Sequence, residues 1–240
     1  MNKIIIVTGS NGQLGKSLTK KLLNDGFEVY GLDIDHDDHD FKNYSKFKLD
    51  ISNVSEIENF FDEIKNENVV GLVNNAGIAV FTPFEDRTYE DVQKVIDVNI
   101  HGTIFMTKSF MKVFGDKTYN KKVVNLGSIY GDVAPDLSIY DDTPRMSSEI
   151  YGMTKAAIIN FTKYMTSYYR GFNTNFNSVS PGGIEFQQGE IFKKKYSDRV
   201  PMNRMAQSDE VADAIIFLLS EKSNYINGEN IFVDGGLTKW

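Results

Sequence analysis

The chain has 240 residues, 41% hydrophobic and 25% charged, with a formal net charge of −7 and no cysteine. That length suits one well-packed α/β domain and is short for two. The missing cysteines exclude disulfides, thiolate metal sites and a cysteine nucleophile, and an acidic chain without an arginine–lysine stripe argues against a nucleic-acid partner.

The apolar run at 4–7, directly after Met1-Asn2-Lys3, is too short for a signal peptide, and no run approaches the ~20 residues of a membrane span. A cytoplasmic chain is the expectation. Strand-like runs follow at 3–7, 28–32, 69–74, 122–126, 174–179 and 230–233. They are short, β-branched and nearly continuous in apolar character, as strands buried on both faces should be. Helix-period segments lie between them. Leu14, Leu18 and Leu22 recur every four residues and stop before Gly26, a natural helix end. Val54, Ile57, Phe61 and Ile64 make a second stripe, and Ser208, followed by Asp209 and Glu210, reads as the cap of a helix through Leu219. No internal repeat or long linker interrupts the order. Strand–helix alternation of this kind predicts one α/β domain built on a doubly wound parallel sheet, with its ligand crevice at the carboxyl ends of the strands.

The first strand runs into Thr8-Gly9-Ser10-Asn11-Gly12-Gln13-Leu14-Gly15, where a helix opens. Glycines here permit a tight turn and close backbone approach to a pyrophosphate, which the free N–H groups of the helix N-terminus attract. Asp33, at the end of the second strand, falls where a carboxylate accepts from adenosine ribose hydroxyls. It would repel a 2′-phosphate, and neither Ile34 nor Asp35 offers a cation, so NAD(H) is predicted over NADP(H). The histidines and acids of 35–40 have no spacing that fixes a metal geometry; they read as a solvated loop, and no metal is assigned.

Tyr151 and Lys155 stand at i and i+4 in a segment that stays helical in character through Tyr168, which stacks a phenol and an ammonium on one face. An adjacent cation favours the phenolate, so the pair can move a proton near neutral pH. With these residues the chain resembles the short-chain dehydrogenase/reductase family over nearly its whole length. The resemblance rests on an ordered series: the 8–15 turn, Asp50-Ile51, Asn74-Asn75-Ala76-Gly77, Asn99, Asn125-Leu126-Gly127-Ser128, Tyr151 to Lys155, Pro181-Gly182 and Val233-Asp234-Gly235-Gly236.

The resemblance implies a single-domain Rossmann fold and a role for each matching position. Tyr151 would be the general acid/base, with Lys155 lowering its pKa and binding the nicotinamide ribose. Ser128 would hold the substrate oxygen, and Asn99 a water that links Lys155 to solvent. Gly9, Asn11, Gly12, Gln13, Leu14 and Gly15 would surround the pyrophosphate. Asp50 and Ile51 would flank the adenine, and Asn75, Ala76, Gly77, Pro181, Gly182 and Ile184 would line ribose and nicotinamide. Relatives commonly pair through the helices carrying Asn99 and Tyr151 and through the C-terminal segment, so a homodimer or homotetramer is expected, through the apolar faces of 105–114 and 158–169 with the 232–240 tail.

Three departures stand out. The glycines are spaced as in the larger sugar-nucleotide-modifying branch, with Gln13 where single-domain members have glycine. Ser128 lies 23 residues before Tyr151, and Ser138, 13 before it, stands nearer the usual interval; Ser128 is preferred because it directly follows a strand. Phe186 replaces a threonine that in many relatives contacts the nicotinamide amide.

The stretch 129–150 then reads as an enlarged loop over the active site, with Tyr130, Tyr140 and Arg145 as candidate substrate contacts and 185–207 as a second substrate loop. Its polarity favours a hydroxyl-rich or charged substrate; packing against a neighbouring subunit is the alternative role. Details at 127–131, 134–135, 139–140 and 225–230 are similar to a bacterial subgroup associated with surface-polysaccharide and flagellin-glycan biosynthesis. The expected function is an NAD-dependent interconversion of a secondary alcohol and a ketone on a sugar, sugar phosphate or nucleotide sugar. A nucleotide-sugar epimerase or dehydratase is the alternative from the glycine spacing, although only about 60 residues follow Pro181 where that branch carries a substrate domain. A non-catalytic dinucleotide sensor is the third reading.

Overall fold

The computed structural model describes residues 3–37, 41–116, 119–140 and 146–240. All six expected strands form, as β1 Ile4–Thr8, β2 Glu28–Asp33, β4 Val69–Asn74, β5 Lys121–Leu126, β6 Thr174–Pro181 and β7 Asn230–Val233. A seventh, β3 Tyr44–Lys48, joins them. Its sequence, Tyr-Ser-Lys-Phe-Lys, has no continuous apolar run because it sits at the sheet edge, pairs with β2 alone and is only half-buried. All pairings are parallel, in the order β3-β2-β1-β4-β5-β6-β7. The chain therefore reverses its direction of travel between β1 and β4, and the loops leaving those two strands open the crevice such sheets use for ligands.

Successive residues of a strand face opposite sides, and β1 shows why it reads as unbroken apolar sequence. Ile4 and Ile6 enter a core with Phe60, Phe61 and Phe110, whereas Ile5 and Val7 enter one with Leu18, Leu22, Val211 and Ile215. The first core lies under α2 Val54–Glu63, α4 Thr103–Phe114 and α5 Glu149–Tyr168; the second lies under α1 Gln13–Asn24 and α7 Ser208–Leu219. A third, smaller cluster joins Ile139, Tyr140, Tyr196, Val200 and Met205, with Phe192 of α6 Glu190–Ser197 against it.

Helix α1 ends as expected. Gly26 takes φ +84, its N–H donates to Leu23 O at 3.1 Å and the Phe27 N–H donates to Leu22 O at 3.1 Å, the two bonds of a Schellman closure. Helix α7 corrects one expectation: Ser208 is already its first helical residue and Gln207 is the cap, its N–H donating to the Glu210 carboxylate at 2.8 Å. Between α3 Tyr89–Ile96 and α4 the helix widens into a π turn over Asp97–Gly102, a form that often marks a functional position. No helix among the described residues is long and apolar enough to cross a membrane.

Candidate active site

The turn after β1 is built for a close-approaching ligand. Gly9 adopts φ +64, and a Cβ there would lie 2.8 Å from the Ala76 Cα; a Cβ on Gly15 would lie 2.1 Å from the Gly9 carbonyl oxygen. Strand end, turn and helix thus pack backbone on backbone. Gly12 caps α1 with no side-chain hydrogen bond and no acid stands in the first turn, so the N–H groups around Gln13, Leu14 and Gly15 keep their positive end open to an anion. Asn75 and Ala76 act from behind. Their N–H groups donate to Thr8 Oγ1 at 3.1 and 3.0 Å, and the Asn75 amide donates to the Thr8 and Gly9 carbonyls at 2.9 Å. The Asn74-Asn75-Ala76-Gly77 motif therefore latches β4 to the glycine turn.

Asp33 closes the same end of the sheet. Its carboxylate accepts from the Asn11 N–H at 2.9 Å and the Ile34 N–H at 2.8 Å. In the following loop, Asp37 pairs with Lys16 of α1 at 2.8 Å, and the His36 ring contacts the Phe47 carbonyl at 3.1 Å; residues 38–40 lie outside the described part. Asp50 turns its exposed carboxylate back onto Ser52 (2.8 Å to N, 2.7 Å to Oγ). Ile51 is buried, its side chain filling the space where a Cβ on Gly102 would stand.

Tyr151 and Lys155 sit in the first two turns of α5, whose N-cap Ser148 accepts from the Tyr151 N–H. Lys155 is 4% exposed and its ammonium donates to the Leu126 carbonyl at 2.8 Å, lying 5.5 Å from the Tyr151 ring centroid. Burial lowers its pKa to about 8. The Tyr151 phenol shifts upward through burial, opposed by a hydrogen bond with Ser128. Asn99 is fully buried in the π turn: Oδ1 accepts from the Ile78 N–H at 2.9 Å, and Nδ2 donates to the Ile78 carbonyl and Thr154 Oγ1, each at 3.0 Å. A Cβ on Gly77 would stand 3.4 Å from both Asn99 Oδ1 and Lys155 Nζ, so the two residues flank one glycine.

Two cavities meet at Ser128 and Tyr151. One, of about 280 Å³, is bordered by Leu14, Asn75, Gly77, Lys155, Pro181, Gly182 and Ile184. The other, of about 670 Å³, extends to Tyr130, Tyr140 and the segment around α6. Ser138 is exposed, its N–H donating to the Asp136 carboxylate, and it lines neither of these cavities. Arg145 lies outside the described residues. Phe186 is 57% exposed. Residues 129–140 lean on their own chain: Asp136 pairs with Arg199, and the Tyr140 ring lies 5.3 Å from Phe192.

Sequence reasoning did not single out Phe81, Ser147, Gln187, Phe192, Tyr196 and Met205, all of which line the larger cavity. Phe192 and Tyr196 at i and i+4 were the available signal, an apolar face on a short helix. The Tyr196 hydroxyl accepts from the Gly183 N–H at 2.5 Å and fixes the strand exit that borders both cavities.

A family model described as enoyl-(acyl carrier protein) reductase matches residues 10–238. The chain is 29% identical to a 3-oxoacyl-(acyl carrier protein) reductase of Aquifex aeolicus, over 97% of this chain and 86% of that protein. It is 28% identical to a post-translational flagellin modification protein A of Campylobacter coli, covering 98% of each. The crystal structure of a short-chain dehydrogenase from Leptospira borgpetersenii with bound NAD+ superimposes with a TM-score of 0.93 at 36% identity, over 99% of this chain and 93% of that one.

Proposed function

The chain belongs to the short-chain dehydrogenase/reductase family of nicotinamide-dinucleotide oxidoreductases, and from that premise we propose an NAD(H)-dependent enzyme interconverting a secondary alcohol and a ketone on a sugar-like small molecule. The observation that carries the reading is the meeting of Tyr151, Ser128 and Lys155 on one cavity wall beside an uncapped glycine turn. The turn fits a dinucleotide because its glycines leave backbone where any side chain would collide. Gly9, Asn11, Gly12, Gln13, Leu14 and Gly15 would hold the pyrophosphate, Asp33 the adenosine ribose, and Asp50 and Ile51 the adenine side. Asn75, Ala76, Gly77, Pro181, Gly182 and Ile184 would border the ribose and nicotinamide.

The cofactor supplies or takes the hydride. Ser128 holds the substrate oxygen through its hydroxyl. Tyr151 gives its phenolic proton to that oxygen in reduction and recovers it in oxidation. Lys155 binds the nicotinamide ribose and keeps a positive charge beside the phenol as it loses its proton, with Asn99 supporting the proton path behind it. Asp33 favours NAD(H), since its carboxylate would repel a 2′-phosphate. Kinship with a flagellin modification protein supports a place in surface-glycan biosynthesis. Exposed Met153, Tyr164 and Tyr168 on α5 support a homo-oligomer, which sedimentation at micromolar concentration tests.

The test is the nicotinamide absorbance change for wild type and Tyr151→Phe over a panel of sugars and their derivatives. Turnover falling by roughly 10²–10⁴ in the variant is expected for loss of an acid/base group. Epimerised substrate with no net cofactor change, or full activity in the variant, overturns the proposal.

A further inference from the structure

The larger cavity is of a size that holds a small molecule, at about 670 Å³. Among the described residues that line it, none is charged. Its polar wall beyond Ser128 and Tyr151 includes Tyr130, Tyr140, Ser147 and Gln187, and its rings include Phe81 and Phe192.

These polar groups are not all consumed internally. The Tyr130 and Tyr140 hydroxyls stand 3.5 Å apart, at the outer limit of a hydrogen bond. The Ser147 hydroxyl and the Gln187 carboxamide make no hydrogen bond to a described residue. Neighbouring amides differ. Gln188 is spent on the Phe186 N–H and the Ile184 carbonyl, and Gln13 on the Glu185 carbonyl, so these shape the wall. Burial pushes the Tyr130 phenol up and that of Tyr196 to about 12, so both stay neutral donors through the physiological range. Lys193 of α6, next to the lining residue Phe192, is held by Glu185 and Glu190 at 3.1 and 3.2 Å.

We infer that the substrate is a neutral polyhydroxylated carbonyl compound, or the corresponding polyol, rather than a phosphorylated, nucleotide-linked or thioester-linked one. The inference rests on the reading above, that Ser128 and Tyr151 do their chemistry at this cavity. A phosphate carried into such a cavity would leave its water and meet no cation among the described lining residues, inside a chain whose net charge is already −7. An alkyl chain would leave Ser147 and Gln187 unpaired, and sites lined to bond hydroxyls reject analogues that lack them. Several neutral hydroxyls give and accept at those groups, while C–H faces pack on the aromatic rings.

The experiment is steady-state kinetics with NADH on four carbonyl substrates: a free ketose, the same ketose phosphorylated at its terminal carbon, a short 3-ketoacyl thioester, and a small diketone without hydroxyls. The expected result is a kcat/KM for the free ketose at least about tenfold above those of the phosphorylated sugar and the thioester. Tyr130→Phe and Ser147→Ala are expected to lower the ratio of ketose to diketone kcat/KM by about tenfold, mainly through KM. NADH binding by the variants verifies that they fold. A preference for the phosphorylated sugar or the thioester, or a ratio unmoved by both substitutions, overturns the inference. A phosphate preference abolished by Arg145→Gln does so too and identifies the cation. No turnover of any substrate, the diketone included, overturns the oxidoreductase reading instead.

Discussion

Replacing Lys155 by methionine should separate what the residue does for catalysis from what it costs the fold. Lys155 is buried, with a pKa lowered by burial from 10.5 to about 8. Because the folded value lies below the unfolded one, the folded state binds the proton more weakly, and the charged form carries a penalty of roughly 3 kcal/mol at neutral pH. That penalty is present in full below about pH 8 and is relieved as the pH rises towards 10.5. Methionine removes it but also removes the bond to the Leu126 carbonyl at 2.8 Å. Loss of that bond costs about 1 to 3 kcal/mol. The two effects offset, so K155M is expected within about 2 kcal/mol of wild type at pH 7, or a few degrees in Tm for a domain of this size. Denaturant unfolding of both proteins without cofactor, at pH 7 and pH 10, is the assay. Wild type should gain on the variant by roughly 2 to 3 kcal/mol between the two, and the subtraction cancels every other titrating group. Turnover should fall by about 10²–10⁴ at either pH. A stability difference that does not change with pH, or that changes in favour of methionine, refutes the reasoning.

Gly15→Ala places a methyl against the Gly9 carbonyl and the Ser10 backbone, none of which can swing aside. A loss of about 1 to 3 kcal/mol and weakened NADH binding are expected by thermal shift with and without cofactor; unchanged binding at wild-type Tm would contradict this. Ser128→Ala should cost about 10²–10³ in kcat and Ser138→Ala almost nothing, with the opposite order showing that the wrong serine was chosen. Asp33→Ser should weaken NADH binding about tenfold and narrow its advantage over NADPH, and a wild type that binds NADPH more tightly would sink the cofactor assignment.

Much of the site could be read along the chain because it is written in short intervals. The three glycines of the turn, and the i, i+4 pairing of Tyr151 with Lys155, are local relations that survive any tertiary arrangement. The choice of Ser128 over Ser138 is different in kind. Both precede Tyr151, and the described path through 129–140, which leaves Ser138 exposed and rests Tyr140 on Phe192 of α6, separates them. Asn75 and Ala76 matched a cofactor motif, yet their hydrogen bonds run to Thr8 and Gly9, a latch across two strands 67 residues apart in sequence.

By itself, then, the sequence determined the strand–helix alternation, the glycine turn, the acidic end of β2 and the phenol–ammonium pair, since each follows from a period or spacing within one element. Tertiary structure decided the rest, because it depends on which distant segments share a wall. The edge strand β3 exists through its pairing with β2, and Asn99, in the widened turn at 97–102, meets the Ile78 backbone 21 residues away. Among the described residues, the larger cavity draws Phe81, Tyr130, Ser147, Gln187 and Phe192 from four separate stretches of chain. No local pattern encodes such a surface: burial and side-chain direction create it when the loops at the carboxyl edge of the sheet close over Ser128 and Tyr151.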